Sequence, residues 1–233
     1  MQQQSSGHTL KAFDKDIDRV RALISQMGGL AEHAIGEAMR CLVQRDTEGA
    51  LRVVANDKKL DALELETERR AVQLIALRAP MAGDLRDVVA ALKISGVVER
   101  IGDYAKNIAK RVPLLETAGK IEPLSLLPEM ARIATSMVHD VLDAFVQRDA
   151  EVALQVCKRD DAVDDFYDSI FRTLLTHMME NPHNIGHAAH LLFVAKHLER
   201  IGDHATNIAE MVYFAATGQH MADRSRDDDD SGS

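Results

Sequence analysis

Eleven residues of this chain occur twice. Glu99–Ala109 reads ERIGDYAKNIA and returns 100 residues later at Glu199–Ala209 as ERIGDHATNIA, with 9 of 11 positions identical. Core packing alone does not demand such identity, because hydrophobic interiors accept many substitutions of similar volume. A repeat of this kind confines the chain to two copies of one structural unit, each carrying one copy of a site. A second match supports the duplication. Val43-Gln44-Arg45-Asp46 returns as Val146-Gln147-Arg148-Asp149, and Asp57 and Asp61 correspond at the same offset of 103 to Asp160 and Asp164. The offset falls from 103 to 100, so the second unit is 3 residues shorter ahead of its ERIGD segment.

The composition selects helix for the unit. Of 233 residues, 46% are hydrophobic but only 4% aromatic, there is no Trp, and Ala, Leu, Arg and Glu recur throughout. That mixture forms helices readily and offers little strand material. The net charge of −9 argues against a nucleic-acid surface, which needs clustered basic residues, and suits a chain that gathers cations. Cys41 and Cys157 form no C-x-x-C and read as reduced core residues of a cytosolic protein. The opening MQQQSSGHTLKAFD lacks the basic-then-apolar pattern of a signal peptide, and no uncharged apolar run has the length of a membrane span.

Hydrophobic periodicity predicts six helices. The first runs from about Leu10 to Arg45 through Ile17, Val20, Ile24, Met27, Leu30, Ala34, Met39 and Leu42, with Gly28-Gly29 an expected interruption. The second runs from Thr47 to Ala79, where Pro80 stops it, and the third from Ala82 to Leu115, with Pro113 fraying its end. The fourth to sixth cover Pro128–Arg148, Ala150–Glu180 and His183–Thr217, with Asn181-Pro182 in the part of Pro80. The fold expected is all-α: two tandem antiparallel three-helix bundles related by internal duplication. The divisions are a flexible N-terminus (1–9), a first unit (10–116), a linker (117–127), a second unit (128–218) and a disordered acidic tail (219–233).

Helical spacing then groups the acids. Residues four apart share a helix face, which pairs Asp57 with Asp61, Glu99 with Asp103, Asp160 with Asp164, and Glu199 with Asp203. The midpoints of the first two pairs lie 21 residues before and 21 after Pro80, and in the second unit the distances from Pro182 are 20 and 19. In an antiparallel hairpin, equal distance from the turn is equal height, so each unit brings two carboxylate pairs to one level. Glu99 and Asp103 point roughly 170° away from the apolar stripe Ile94, Val97, Ile101, Ala105, Ile108, Val112, and Glu199 and Asp203 roughly 160° from Val194, Leu198, Ile201, Ala205, Val212. These acids therefore line outer faces. They are either a solvated acidic surface or a surface site for multivalent metal ions (iron, manganese, zinc or magnesium), since four carboxylates at one height repel unless a cation neutralises them. Few histidines accompany them, which argues against a dedicated zinc cage.

Other polar residues read as structural. His183, His190, His197 and His204 recur every seven residues along the border of the sixth helix's core face, a packing or interface stripe. Asp84 is expected to cap or pair locally, Arg100 and Arg200 to pair with neighbouring acids, and Asn107 and Asn207 to bond near the acidic pairs or face water. No phosphate-binding glycine loop, nucleophile elbow or His/Asp/Ser constellation is present, and no Glu-x-x-His pairing suggests an interior di-iron site.

Both ERIGD…NIA segments, Asp57…Asp61, Pro80 with Asp84-Leu85-Arg86, and the ending Met211–Gly218 (MVYFAATG) together resemble the PhoU family of bacterial phosphate-signalling regulators. The resemblance spans about Leu10 to Gly218. It implies two three-helix bundles, a homodimer, and multinuclear metal clusters held by Asp57, Asp61, Glu99 and Asp103, and by Asp160, Asp164, Glu199 and Asp203. It implies a cytoplasmic, non-enzymatic negative regulator that couples the ATPase of a phosphate ABC transporter to a phosphate-sensing histidine kinase and meets the membrane only through those partners. Asn184-Ile185-Gly186 replaces Asp-Leu-Arg in the second unit, so the two sites need not be equivalent. The competing readings are a carboxylate-bridged metal-dependent enzyme, an oxidase or hydrolase, and a metal-free helical adaptor.

Overall fold

The computed structural model describes residues 3–116 and 125–221, with residues 3–12 as helical backbone only. It is all-α, as the sequence predicts. The first unit contains α1 (Gln3–Gln44), α2 (Thr47–Asn56), α3 (Lys58–Arg78) and α4 (Ala82–Ala109), followed by a 3₁₀ turn at Pro113–Leu115. The second contains α5 (Leu127–Gln147), α6 (Ala150–Lys158), α7 (Asp160–Glu180), a 3₁₀ turn at Pro182–Asn184, and α8 (Ile185–Thr217). Helix α1 begins at Gln3, inside the stretch expected to be flexible. Most of the linker (117–124) and of the acidic tail (222–233) lie outside the described residues.

Two differences from the six-helix expectation have local causes. The helix expected over 47–79 is two helices that meet at Asp57, and the one expected over 150–180 breaks at Arg159. Tightened bonds mark both joints, from the Leu60 N–H to the Asp57 carbonyl and from the Ala162 N–H to the Arg159 carbonyl, one residue short of α-helical spacing. Conversely, Gly28-Gly29 does not interrupt α1. A Cβ on Gly28 would lie 2.4 Å from Leu142 Cδ1, so this glycine lets α1 and α5 close together.

The second repeated tetrapeptide, VQRD, is a turn. Arg45 and Arg148 both adopt left-handed backbone (φ 55° and 57°), ending α1 and α5, and Asp46 and Asp149 cap the next helices. Asp46 accepts from the Gly49 N–H, and Asp149 from Glu151 and Val152. Asp149→Ala should therefore lower stability by about 1 kcal/mol, read as a lower urea midpoint at unchanged slope; an unshifted midpoint would show the cap to be idle.

The buried side chains form one continuous cluster through both units. In α1 the buried stripe is Ile17, Val20, Ile24, Met27, Ala31, Ile35, Ala38 and Leu42; Leu30 and Ala34, expected in it, sit at its edge. The units join through α4 against α8 and α1 against α5. Tyr104 and His204, equivalent in the two repeats, face each other with stacked rings 5.4 Å apart. Contact between equivalent positions is the mark of a two-fold relation, here internal to one chain. The histidine stripe serves this seam: His197 and His204 pack on Tyr104, and His190 bonds Arg111. Burial, with Arg111 and Arg200 adding to it, pushes His197 down to about 4, so it is neutral there.

Candidate functional site

The repeated glycine places the acids. Gly102 and Gly202 are buried in the middle of α4 and α8. A Cβ on Gly102 would lie 2.2 Å from Leu60 Cδ2 and 3.8 Å from Asp57 Oδ1; one on Gly202 would lie 3.3 Å from both Asp160 Oδ1 and Val163 Cγ1. The missing side chain thus lets the start of α3 approach α4, and the start of α7 approach α8. In both units members of the two acidic pairs lie near enough to act on each other's charge: Asp57 and Asp61 on Glu99, and Glu199 on Asp164.

The helix breaks add what periodicity could not show. Asp57 and Asp61 stand at the N-terminus of α3, and Asp160 opens α7 with Asp164 in its next turn. Asp57, Asp61 and Asp160 thus stand in or beside the first turn of a helix, at the positive end of its dipole. The acids are also less exposed than an outer face implies. Asp57 has only 8% of its side chain exposed and Glu199 13%, whereas Asp61, Asp164 and Asp203 face solvent.

Crowding shows in the titration of these groups. Burial, then the charges of Asp103, Glu64, Asp61 and Asp57, raise Glu99 to about 7. Glu64 completes this first cluster; burial, then Glu68 and Asp61, push it up as well. Glu64 lies one turn beyond Asp61 on the same helix face, a signal that the sequence carries. In the second cluster the partial desolvation of the cleft between α7 and α8, then the charge of Glu199, raise both Asp164 and Asp203 although each reaches solvent. Each cluster meets one lysine. Lys106 bonds Asp57 at 2.5 Å and also Asp103. Lys196 bonds Glu199 and lies over the Tyr167 ring. Burial opposes the charge on Lys106, yet its bonds to Asp103 and Asp57 hold it above the usual lysine range.

Glu99 makes stability depend on pH. Below about pH 4.5 its carboxyl is protonated in the folded and unfolded chain alike. From there to about 7 the folded chain keeps a proton that the unfolded chain releases, so folding weakens as pH rises, and the loss is complete above about 7. In chelator, Glu99→Gln should therefore gain on wild type between pH 4 and pH 8, by on the order of 1 kcal/mol after solvent screening. Melting curves that stay parallel across that range would contradict the crowding.

Among the described residues no group of three His, Cys, Asp or Glu side chains is arranged to hold a metal ion as it stands. Between Asp57 and Asp103 there is the Lys106 ammonium instead. The donors nevertheless suit a hard cation: they are carboxylate oxygens from two helices, and Glu199 Oε2 is buried with no hydrogen-bond partner.

Outside the clusters one expectation fails and two contacts appear that the sequence did not assign. Arg200 rests against Tyr104, its guanidinium 6.0 Å from the ring centroid, rather than on an acid. Arg86 lies against Gly218, the left-handed cap of α8, where a cation suits the negative helix end. Asp87, not singled out by the sequence, is the buried acid of that end of the molecule and bonds Arg21 at 2.9 Å and Arg148 at 3.3 Å.

These features define a class: an internally duplicated helical protein with one carboxylate cluster per repeat on its outer surface. The PhoU domain family matches residues 24–112 and 127–212. The chain is 55% identical over 223 residues to the "Phosphate-specific transport system accessory protein PhoU homolog" of Zymomonas mobilis, covering 96% of this chain and 94% of that one. It is 47% identical over 215 residues to the protein of the same name from Caulobacter vibrioides, covering 92% and 94%. The crystal structure of PhoU from Pseudomonas aeruginosa superposes with a TM-score of 0.85 at 34% identity, covering 89% of this chain and all of that one. The chain belongs to the PhoU family.

Proposed function

We propose that this protein is a non-enzymatic negative regulator of phosphate uptake and of the phosphate-starvation response. It acts in the cytoplasm as a homodimer, through contacts with the ATPase of a phosphate ABC transporter and with a phosphate-sensing histidine kinase. The observation that carries this reading is family membership across both repeats, with relatives named as accessory proteins of phosphate-specific transport. Among the described residues no helix is long and apolar enough to cross a membrane.

The acid clusters belong to the same proposal. Asp57, Asp61, Glu99 and Asp103, and separately Asp160, Asp164, Glu199 and Asp203, hold multivalent metal ions. Iron, manganese, zinc and magnesium all accept such oxygen donors. The ion neutralises charge that the fold has crowded together. The protein's part is to set two helix segments at one height by means of Gly102 and Gly202. One observation favours a metal-free adaptor instead: Lys106 already compensates two acids of the first cluster.

Deletion of the gene in phosphate-replete cells tests the regulatory reading. Phosphate uptake and starvation-gene output should both rise, and restoring the full chain should lower them. Unchanged output in the deletion strain would sink it.

A further inference from the structure

Repeat-equivalent positions around the two clusters carry different residues. Position 106 is Lys in the first unit, and its equivalent 206 is Thr, which bonds the Asp203 carbonyl. Position 96 is Gly, and its equivalent 196 is Lys. Position 64 is Glu, and its equivalent 167 is Tyr, the ring that Lys196 overlies. Each unit has thus acquired one lysine from a different place on its helix.

The two lysines sit differently. Lys106, 22% exposed, bridges the cluster's two helices by bonding Asp57 at the start of α3 and Asp103 on α4. Lys196, 41% exposed, bonds Glu199 of its own helix. An ammonium held by two carboxylates in a partly dehydrated cleft is a strongly bound counter-ion. It also occupies the place where a metal joining the same two helices would lie. The Glu199 Oε2 atom, by contrast, is buried and has no hydrogen-bond partner.

We propose that Lys106 is an internal cation of the first cluster, so that metal enters this cluster only by displacing it, whereas the second cluster takes metal by addition. The inference rests on the metal-binding reading of the acid clusters. It makes the two sites functionally unequal although their ligands repeat. Occupancy of the first site then reports a higher metal level than its acids alone would set, because every binding event must break the Lys106 bonds.

Mn²⁺ titration of the full chain after chelator treatment tests this. Asp203→Asn serves as the background, so that the first cluster is read alone. Adding Lys106→Met should tighten Mn²⁺ binding by roughly tenfold or more, the worth of one or two charge-assisted bonds. Lys106→Thr, which borrows the residue of the second repeat, gives the same gain if the Met variant folds poorly. Lys106→Arg keeps the charge and should stay within about threefold of the background. Lys196→Met in an Asp103→Asn background should shift the second cluster's affinity less than Lys106→Met shifts the first. Wild-type binding that Lys106→Met and Lys106→Thr leave unchanged overturns this inference and leaves the metal reading intact. Binding that appears only in those variants supports it and restricts the metal reading. No binding in any variant overturns both.

Discussion

Gly102→Val should lower the stability of the protein by about 1–3 kcal/mol, the range for overpacking a tight contact. The added Cβ would meet Leu60 Cδ2 at 2.2 Å, far inside van der Waals contact, and its branches would extend the clash. Leu60 is itself 4% exposed, and it borders a cavity of about 380 Å³ that Gly102 and Lys106 also line, so its Cδ2 has some room to turn. What a turn of Leu60 into that cavity does not relieve moves α3 off α4, which also separates Asp57 from Asp103 and loosens the Lys106 bridge. Gly202→Val should cost less, because its neighbours, Asp160 Oδ1 and Val163 Cγ1, stand back at 3.3 Å. Urea denaturation of both variants checks the order. A Gly102→Val protein as stable as wild type would mean that the repeated glycine does not serve to close α3 onto α4.

Asp87→Ala should cost about 2 kcal/mol. Asp87 is 3% exposed and joins three elements: its own α4, Arg21 on α1, and Arg148 at the left-handed end of α5. Burial pushes its carboxyl up, while the charges of Arg148 and Arg21 pull it back. Removing it takes away the carboxylate that Arg21 and Arg148 share and leaves Arg21 only its 3.5 Å pair with Asp18 of its own helix. Both guanidinium groups are partly exposed, so water softens the loss below that of a fully buried pair. Asp87→Asn should recover part of the loss by keeping a hydrogen bond to Arg21. Melting of the two variants side by side decides it, and equal stability of Ala and wild type would refute the clamp.

The sequence revealed the duplication, the all-α class and the shared height of the acid pairs, because helix geometry converts spacing into position. It could not reveal the breaks at Asp57 and Arg159. No Pro or Gly occupies those joints, and the apolar pattern runs through them. Gly28-Gly29 misled in the opposite direction: the pair signals weakness locally, but Leu142 of another helix makes Gly28 a packing position. The expectation for Arg200 failed, and Asp87 went unread, for a related reason: their partners Tyr104, Arg21 and Arg148 are remote in sequence. Glu64 was legible from its spacing to Asp61, while Lys106 reads as an ordinary i, i+3 partner of Asp103 until α3 is folded against it. The repeated glycine was visible from the start. Its purpose is plain only with Leu60 and Val163 pressing on it.

The central claim is that the repeated segments build two carboxylate clusters that hold multivalent metal. The metal content of the full chain, purified without chelator, tests it most directly. Iron, manganese, zinc and magnesium should be measured on wild type and on the Glu99→Ala/Glu199→Ala double variant at equal protein concentration. Wild type should retain at least one of these metals in stoichiometric amount, and the double variant should lose most of it while keeping its helix content. Wild-type protein free of all four metals, or a double variant that retains the full amount, would contradict the account.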